Sequence, residues 1–237
     1  MTPILELTDV VKNYQGLRPL RVARLAVAAG EPVAILGLDQ AAAEVLVNLI
    51  TGATLPERGE IKVFDRPTHA IADSAEWLAF VDRFGIVSDR AVLLEPLTVV
   101  QNLAVPFTLD IDPPSDDVRQ RVEALADEVG LAPDVRARTI GALDGALRTR
   151  VRLARALALD PAVLIVEHAT ATVARSDVAR LGADIRAIGE RRGAAILAAT
   201  ADAEFARAIA RRVLTLDAAT GRLDAPGVGR WLRSRLG

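Results

Sequence analysis

Three places in this chain combine residue types and spacings that could do chemistry. The first is "AILGLDQAAAEVL", Ala34 to Leu46, where an apolar run ends in Gly37, crosses a short polar turn and enters a helix. A phosphate-binding loop is built in this order: small residues let backbone N–H groups cup phosphate, a lysine reaches the outer oxygens, and a hydroxyl holds magnesium. The positions that would need a second glycine, the lysine and the hydroxyl carry Ala42, Ala43 and Glu44. The second place is "AVLIVEH", Ala162 to His168, a wholly apolar run closed by an acid and an imidazole. A carboxylate at Glu167 could hold a cation, and histidine is the side chain suited to proton transfer near neutral pH. The third is "GALDG", Gly141 to Gly145, leading into a helix whose start Asp144 could cap.

Positioning these groups requires an α/β succession. Ile4–Val10 and Val22–Val27 read as strands, and "EPVAILG" (Glu31–Gly37) as a core strand. Asp39 caps the next helix, whose Val45, Leu46, Leu49 and Ile50 form a buried stripe ending before Gly52 and Pro56. Gly59–Pro67 is a strand and turn, Trp77–Phe84 a helical run, and Gly85–Val87 a further strand. A helical stretch follows: a helix start at Leu97–Leu103, a proline-bearing link at 111–115, and an amphipathic helix on Val118, Val122, Leu125 and Val129 stopped by Gly130. The last helix of this stretch is Ala146–Leu159. The strand Ala162–His168, a helix on Val178, Leu181, Ile185 and Ile188, the strand Ala195–Ala199, the helix Asp202–Ile209 and the strand Val213–Leu216 complete a mostly parallel sheet.

Composition narrows the partners. The chain has 237 residues, a net charge of −2 and no cysteine, so neither a thiolate metal site nor a broad attraction to nucleic acid is expected. No apolar run reaches the roughly 18 residues of a membrane span. The opening "MTPILELTDVVKNY" sets Glu6 and Asp9 among alternating apolar positions, unlike a leader, and a cytoplasmic location is expected. Lys12 and Lys62 are the only lysines, which matters where a phosphate loop needs one.

Across almost its full length the chain resembles the nucleotide-binding domain of an ATP-binding cassette (ABC) transporter. The likeness is carried by landmarks in order: Tyr14 after the first strand, Gly37, "GEI" at Gly59–Ile61, "LEPLTVVQNLAVPF" (Leu94–Phe107), "GALDG…RVRLARALALDP" (Gly141–Pro161), "VLIVEHAT" (Val163–Thr170) and "RRVLTLDAATGRL" near the end. It implies a P-loop NTPase-like ABC ATPase fold: a mostly parallel core sheet, an N-terminal antiparallel β subdomain and an inserted helical subdomain. It divides a single domain 1–237 into an α/β core (1–88 and 157–225), a helical subdomain (89–156) and a tail (226–237). It also implies ATP and Mg2+ as ligands, a homodimer or a heterodimer with another cassette subunit, and a membrane permease as partner, placing the protein at the inner face of the membrane.

Residue by residue, the chemistry departs from that pattern. Tyr14 matches the aromatic that stacks on adenine, and Gly37 the first glycine of the phosphate loop. Gln40 replaces another glycine, and Ala42, Ala43 and Glu44 replace the glycine, lysine and serine, with Val45 following. Glu44 is either an ordinary acidic residue of the first helical turn or a carboxylate that occupies the anion site itself. Asp89 stands in the glutamine position, as a weak metal ligand or a surface loop residue. Glu167 matches the metal-associated aspartate and His168 the catalytic glutamate, so this pair is the candidate catalytic centre, with His168 alternatively capping a strand end. Asp89 and Glu167 are the candidate metal ligands. Ala174 and Ala201 replace an aspartate and the switch histidine. In the signature loop Asp144 replaces serine, Gly145 is kept, and Ala146 and Leu147 fill the next positions. Asp144 would either repel a partner's γ-phosphate or cap its own helix.

These substitutions lead to a cassette subunit with impaired catalysis, acting as a structural or regulatory component of a membrane transport complex. The alternatives are an active ATPase that binds Mg-ATP through Gln40, Asp89, Glu167 and His168, and a soluble scaffold unrelated to transport. Even beside an intact partner, each composite site would contain one altered half. Pro96 and Phe107 are either groove or core residues, Leu97 core, and Arg148, Arg150 and Arg152 mostly a solvated charge run, with a salt bridge from one of them near the dimer seam as the alternative. The tail "GVGRWLRSRLG" offers Trp231, Leu232 and Leu236 for contact with a membrane surface or partner.

Overall fold

The computed structural model describes residues 2–225; the tail reading falls outside them. Its strands are β1 (Pro3–Lys12), β2 (Leu20–Ala28), β3 (Pro32–Leu36), β4 (Arg58–Val63), β5 (Arg66–Pro67), β6 (Phe84–Ser88), β7 (Val163–Glu167), β8 (Ala195–Ala199), β9 (Arg212–Leu216) and β10 (Leu223–Asp224). Its helices are α1 (Gln40–Ile50), α2 (Ser74–Val81), α3 (Val99–Ala104), α4 (Asp116–Glu128), α5 (Pro133–Arg136), α6 (Gly145–Leu157), α7 (Arg175–Arg192) and α8 (Ala203–Ile209). Two sheets result. One is antiparallel, in the order β2-β1-β4-β5; the other runs β10-β9-β3-β8-β7-β6, parallel except where β10 meets β9.

The inner strands of the parallel sheet are apolar throughout because both faces are covered. Ala34, Leu164, Val166 and Ala198 face a core shared with α3, α4, α6, α7 and α8. Their neighbours Val33, Ile35, Val163, Ile165 and Leu197 face a second core, shared with α1 and the antiparallel sheet. In α4, Val118, Val122 and Leu125 are buried, and Gly130 takes the positive φ of 73° that ends it. A reciprocal Thr98–Gln101 box starts α3. One boundary differs from expectation: α2 stops at Val81, and Phe84 opens β6. There its ring joins Phe64 and Phe80, with centroids 5.2 to 5.6 Å apart, a packing that outweighs the helical period.

Register brings the chemistry to one end. Ser88 pairs with Glu167, Glu167 with Ala199, and Ala199 with Ile35, so the C-terminal ends of β6, β7, β8 and β3 form one row. Open parallel sheets bind ligands beyond such a row.

Candidate functional site

At the end of β3, Gly37 has φ 93°, and a Cβ there would lie 2.8 Å from the carbonyl oxygen of Leu216. The glycine therefore serves the close approach of β9 and the left-handed backbone. Asp39 then caps α1: its Oδ1 accepts from the Ala42 N–H at 2.7 Å, and its carbonyl accepts from the Ala43 N–H at 2.9 Å. Ala42 and Ala43 point into the second core, Gln40 is exposed, and Val45 packs at the edge of that core. Tyr14 also packs there, beside Gly16. Burial, and secondarily the charge of Asp39, push its phenol above the usual tyrosine range.

The expectation for Glu44 is corrected. α1 opens at Gln40, which puts Glu44 beyond the first turn, where the helix dipole has little hold on a carboxylate. Glu44 does not occupy the anion site; Asp39 does, and Glu44 reaches sideways to Arg90. Arg90 stands just past β6. Its Nη1 lies 3.1 Å from Glu44 Oε1, its Nη2 2.7 Å from Glu167 Oε2, and its Nε 3.2 Å from both Glu167 oxygens. Glu167 is only 2 % exposed. Hydrogen bonding to Glu167, with the charges of Glu167 and Glu44, holds the guanidinium pKa above its ordinary range against the opposing effect of burial.

The other candidates divide. Asp89 is no free metal ligand or bare surface residue: its Oδ1 takes a 2.8 Å ion pair from Arg152. Glu167 and His168 stand together at the end of β7, and both border a cavity of about 280 Å³ with Leu38, Asp39, Gln40, Ser88 and Asp89. Phosphoryl or metal chemistry would need free oxygens on Glu167, and those oxygens are bonded to Arg90. His168 has φ 43°, its N–H donates to Ala199 O at 2.9 Å, and its buried Nε2 has no hydrogen-bond partner among the described residues. The side chain therefore does not cap the strand through Nε2. Ala201 lies across the same cavity, and Ala174 begins α7 without a side-chain cap.

At the third place, Asp144 Oδ1 accepts from Leu147 N–H at 2.9 Å, so it caps α6. A Cβ on Gly145 would sit 1.9 Å from Thr172 O, so only glycine permits this contact between α6 and the loop after β7. The arginine run is not solvated. Arg148 pairs with Glu95 at 3.0 Å, Arg150 with Asp184 at 2.5 Å and Arg152 with Asp89, and the Arg150 and Arg152 side chains are only 11 % and 13 % exposed. A spacing of two turns each arginine to a different neighbour, and α6 has neighbours on several sides. Pro96 is exposed, Phe107 packs on the first core, and neither these nor Leu97 lines the nearby groove of about 350 Å³, which Phe84, Leu93, Val105, Pro106 and Arg155 border.

Residues 20–171 match the sequence pattern of the ABC transporter family. The chain belongs to the ABC transporter family. It is 31% identical over 215 residues to the methionine import ATP-binding protein MetN of Brucella abortus (strain 2308), an alignment covering 91% of this chain and 58% of that protein. The chain thus spans less than two thirds of that relative's length. It is 30% identical over 209 residues to the lipoprotein-releasing system ATP-binding protein LolD of Alcanivorax borkumensis, covering 86% of this chain and 91% of that one. Among solved structures, cbiO1 of Clostridium perfringens, part of the ABC transporter complex cbiONQ, superimposes with a TM-score of 0.79 at 22% identity, covering 99% of this chain and 92% of its own. The cassette MJ0796 in its dimeric ADP- and phosphate-bound form superimposes at a TM-score of 0.75 and 22% identity, covering 93% and 98%. The fold is therefore that of an ABC ATPase cassette. Among the described residues no helix is long and apolar enough to cross a membrane.

Sequence reasoning missed Arg90. The signal was present: two carboxylates, Glu44 and Glu167, fall on positions where the family gathers one cation, and an arginine directly follows the Asp89 position.

Proposed function

We infer that this cassette is an ATP-binding-type subunit of a membrane transport complex that serves as a structural or regulatory component and does not hydrolyse ATP efficiently. One observation carries the reading: both helix starts that a cassette would aim at nucleotide, those of α1 and α6, are capped by the chain's own carboxylates, Asp39 and Asp144. A phosphate at either start would meet a negative charge and find the N–H of Ala42 or Leu147 already bonded. The lost lysine removes the compensating cation, and phosphoryl transfer draws most of its rate from such electrostatic stabilisation. His168 and Glu167 consequently act as neither base nor metal ligand.

What the chain offers a complex is its folded surface. On this reading it sits in the cytoplasm against the inner face of the membrane and pairs with a second cassette, itself or another. The groove beside Leu93 and Arg155 is the place for the permease. Calorimetric titration of the purified chain with Mg-ATP tests the reading: no heat of binding is expected in the low-micromolar range, and tight binding there would overturn it. Stable co-purification with a permease in the absence of nucleotide is the matching positive result, whereas recovery with soluble proteins alone would count against a transport role.

A further inference from the structure

By resemblance, position 44 matches the phosphate-loop hydroxyl that holds magnesium, and position 167 the metal-associated acid. Here both positions are carboxylates, and the guanidinium of Arg90 lies between them, within 3.1 Å of Glu44 and 2.7 Å of Glu167. Glu167 is 2 % exposed, so its charge must be matched from within the protein. The described ion pairs of Glu44 and Glu167 all go to Arg90. A divalent cation does not fit this set of donors while the side chain is in place, because the facing oxygens are already bonded. A guanidinium is planar, permanently charged and presents donors on separate nitrogens, so one group can face two carboxylates at once.

We propose that Arg90 is a built-in substitute for a divalent cation, bridging Glu44 of α1 to Glu167 of β7. The loop after β6 thereby ties α1 to β7 without metal or nucleotide. Ser88, whose hydroxyl accepts from the Arg90 N–H at 3.1 Å, sets the direction in which the arginine leaves its strand. The bridge does not rest on the proposed transport role. Removing the guanidinium should convert a closed ion-pair cluster into two facing carboxylates, and so create a cation site that the natural chain lacks.

The test is thermal melting of the natural chain, Arg90→Ala and Arg90→Ala/Glu44→Gln in millimolar MnCl2 against NaCl of equal ionic strength, with no nucleotide present. Because ATP is left out, failure of the calorimetric test above would leave this result standing. Arg90→Ala should melt lower in NaCl and recover by about 5 °C in Mn2+, as expected for a ligand well above its Kd on a domain of this size. The natural chain should move by less than about 1 °C, and the double variant should respond no more than the natural chain. Equal stabilisation of the natural chain by Mn2+, or an Arg90→Ala protein indifferent to it, would overturn the proposal. If Arg90→Ala does not fold, the neutral Arg90→Gln is measured with the same expectations, and Arg90→Lys, which keeps a tethered charge, should stay insensitive to Mn2+.

Discussion

Replacing Asp39 separates two physical effects that one carboxylate exerts on the phosphate turn. Its Oδ1 accepts from Ala42 N–H at 2.7 Å, and Ala42 is only 7 % exposed, so in Asp39→Ala this donor loses its partner at the edge of the core. Loss of such an N-cap costs about 1 kcal/mol, which for a domain of this length lowers Tm by about 2–4 °C. The second effect is electrostatic. Tyr14 is the only tyrosine in the chain, and its phenol is raised first by burial and then by the charge of Asp39. Ultraviolet titration of the phenol therefore reads one residue. In Asp39→Ala the midpoint should fall part of the way towards the ordinary tyrosine value, since burial remains. Asp39→Asn divides the two: asparagine caps nearly as well without charge, so it should keep most of the Tm while lowering the phenol midpoint as alanine does. An unchanged melt for Asp39→Ala together with an unchanged titration for both variants would refute the placement of this carboxylate over the helix start.

Two further outcomes follow from the same geometry. The variant Ala42→Gly/Ala43→Lys/Glu44→Ser regains the loop's residue types but leaves the Asp39 carboxylate on the turn and Arg90 on Glu167; Mg-ATP binding by calorimetry should appear only when Asp39→Ser and Arg90→Ser are added. Binding by the triple variant alone would show that these two side chains are no barrier. Away from the site, Arg192 holds Glu128 at 2.9 and 2.6 Å and donates to Leu157 O at 3.0 Å, joining α7 to α4 and the end of α6. Arg192→Ala should cost about 2 kcal/mol near neutral pH in urea unfolding. Hydrogen bonding from Arg192 holds the Glu128 pKa below the ordinary value of about 4.3. The Glu128 part of this stability is fully present above that value and is lost as pH falls through the lower folded one, so the gap between the two unfolding curves should narrow as pH falls through the acid range. Curves still parallel in that range would contradict the pairing.

The frame was legible because its signals are local. β3, β7 and β8 are buried on both faces and read as short apolar runs, while Asp39 and Gly130 mark helix ends by side-chain and backbone chemistry within a few residues. The site was legible only in part. Position-by-position likeness named Gly37, Glu167, Asp144 and Gly145 as candidates, but it could not say which side chains meet. Arg90 and Glu167 are 77 residues apart in sequence and become neighbours only when β6 pairs with β7. Glu44, the fifth residue of α1, falls just past the first turn and pairs with Arg90 instead. The arginines of α6 looked solvated because their partners lie elsewhere in the chain, Asp89 and Glu95 in the link between β6 and α3 and Asp184 in α7.

The substitutions around the turn are better understood together than singly. Two carboxylates, Glu44 and Glu167, share one guanidinium, Asp39 stands over the start of α1, and the neighbouring Asp89 is paired separately with Arg152. The excess is negative. Like charges repel across such a site even with solvent screening, a burden that a triphosphate would bear without the lysine that normally offsets it. Restoring any one family residue leaves that balance unfavourable. The same charges nevertheless serve the free chain: Asp39 satisfies the start of α1, and Arg90 satisfies a buried acid on β7. On the proposed reading, the contacts that a nucleotide and its cation would lend to a working cassette are made here by side chains, so the partner-facing surface should hold its shape whether or not ATP is present.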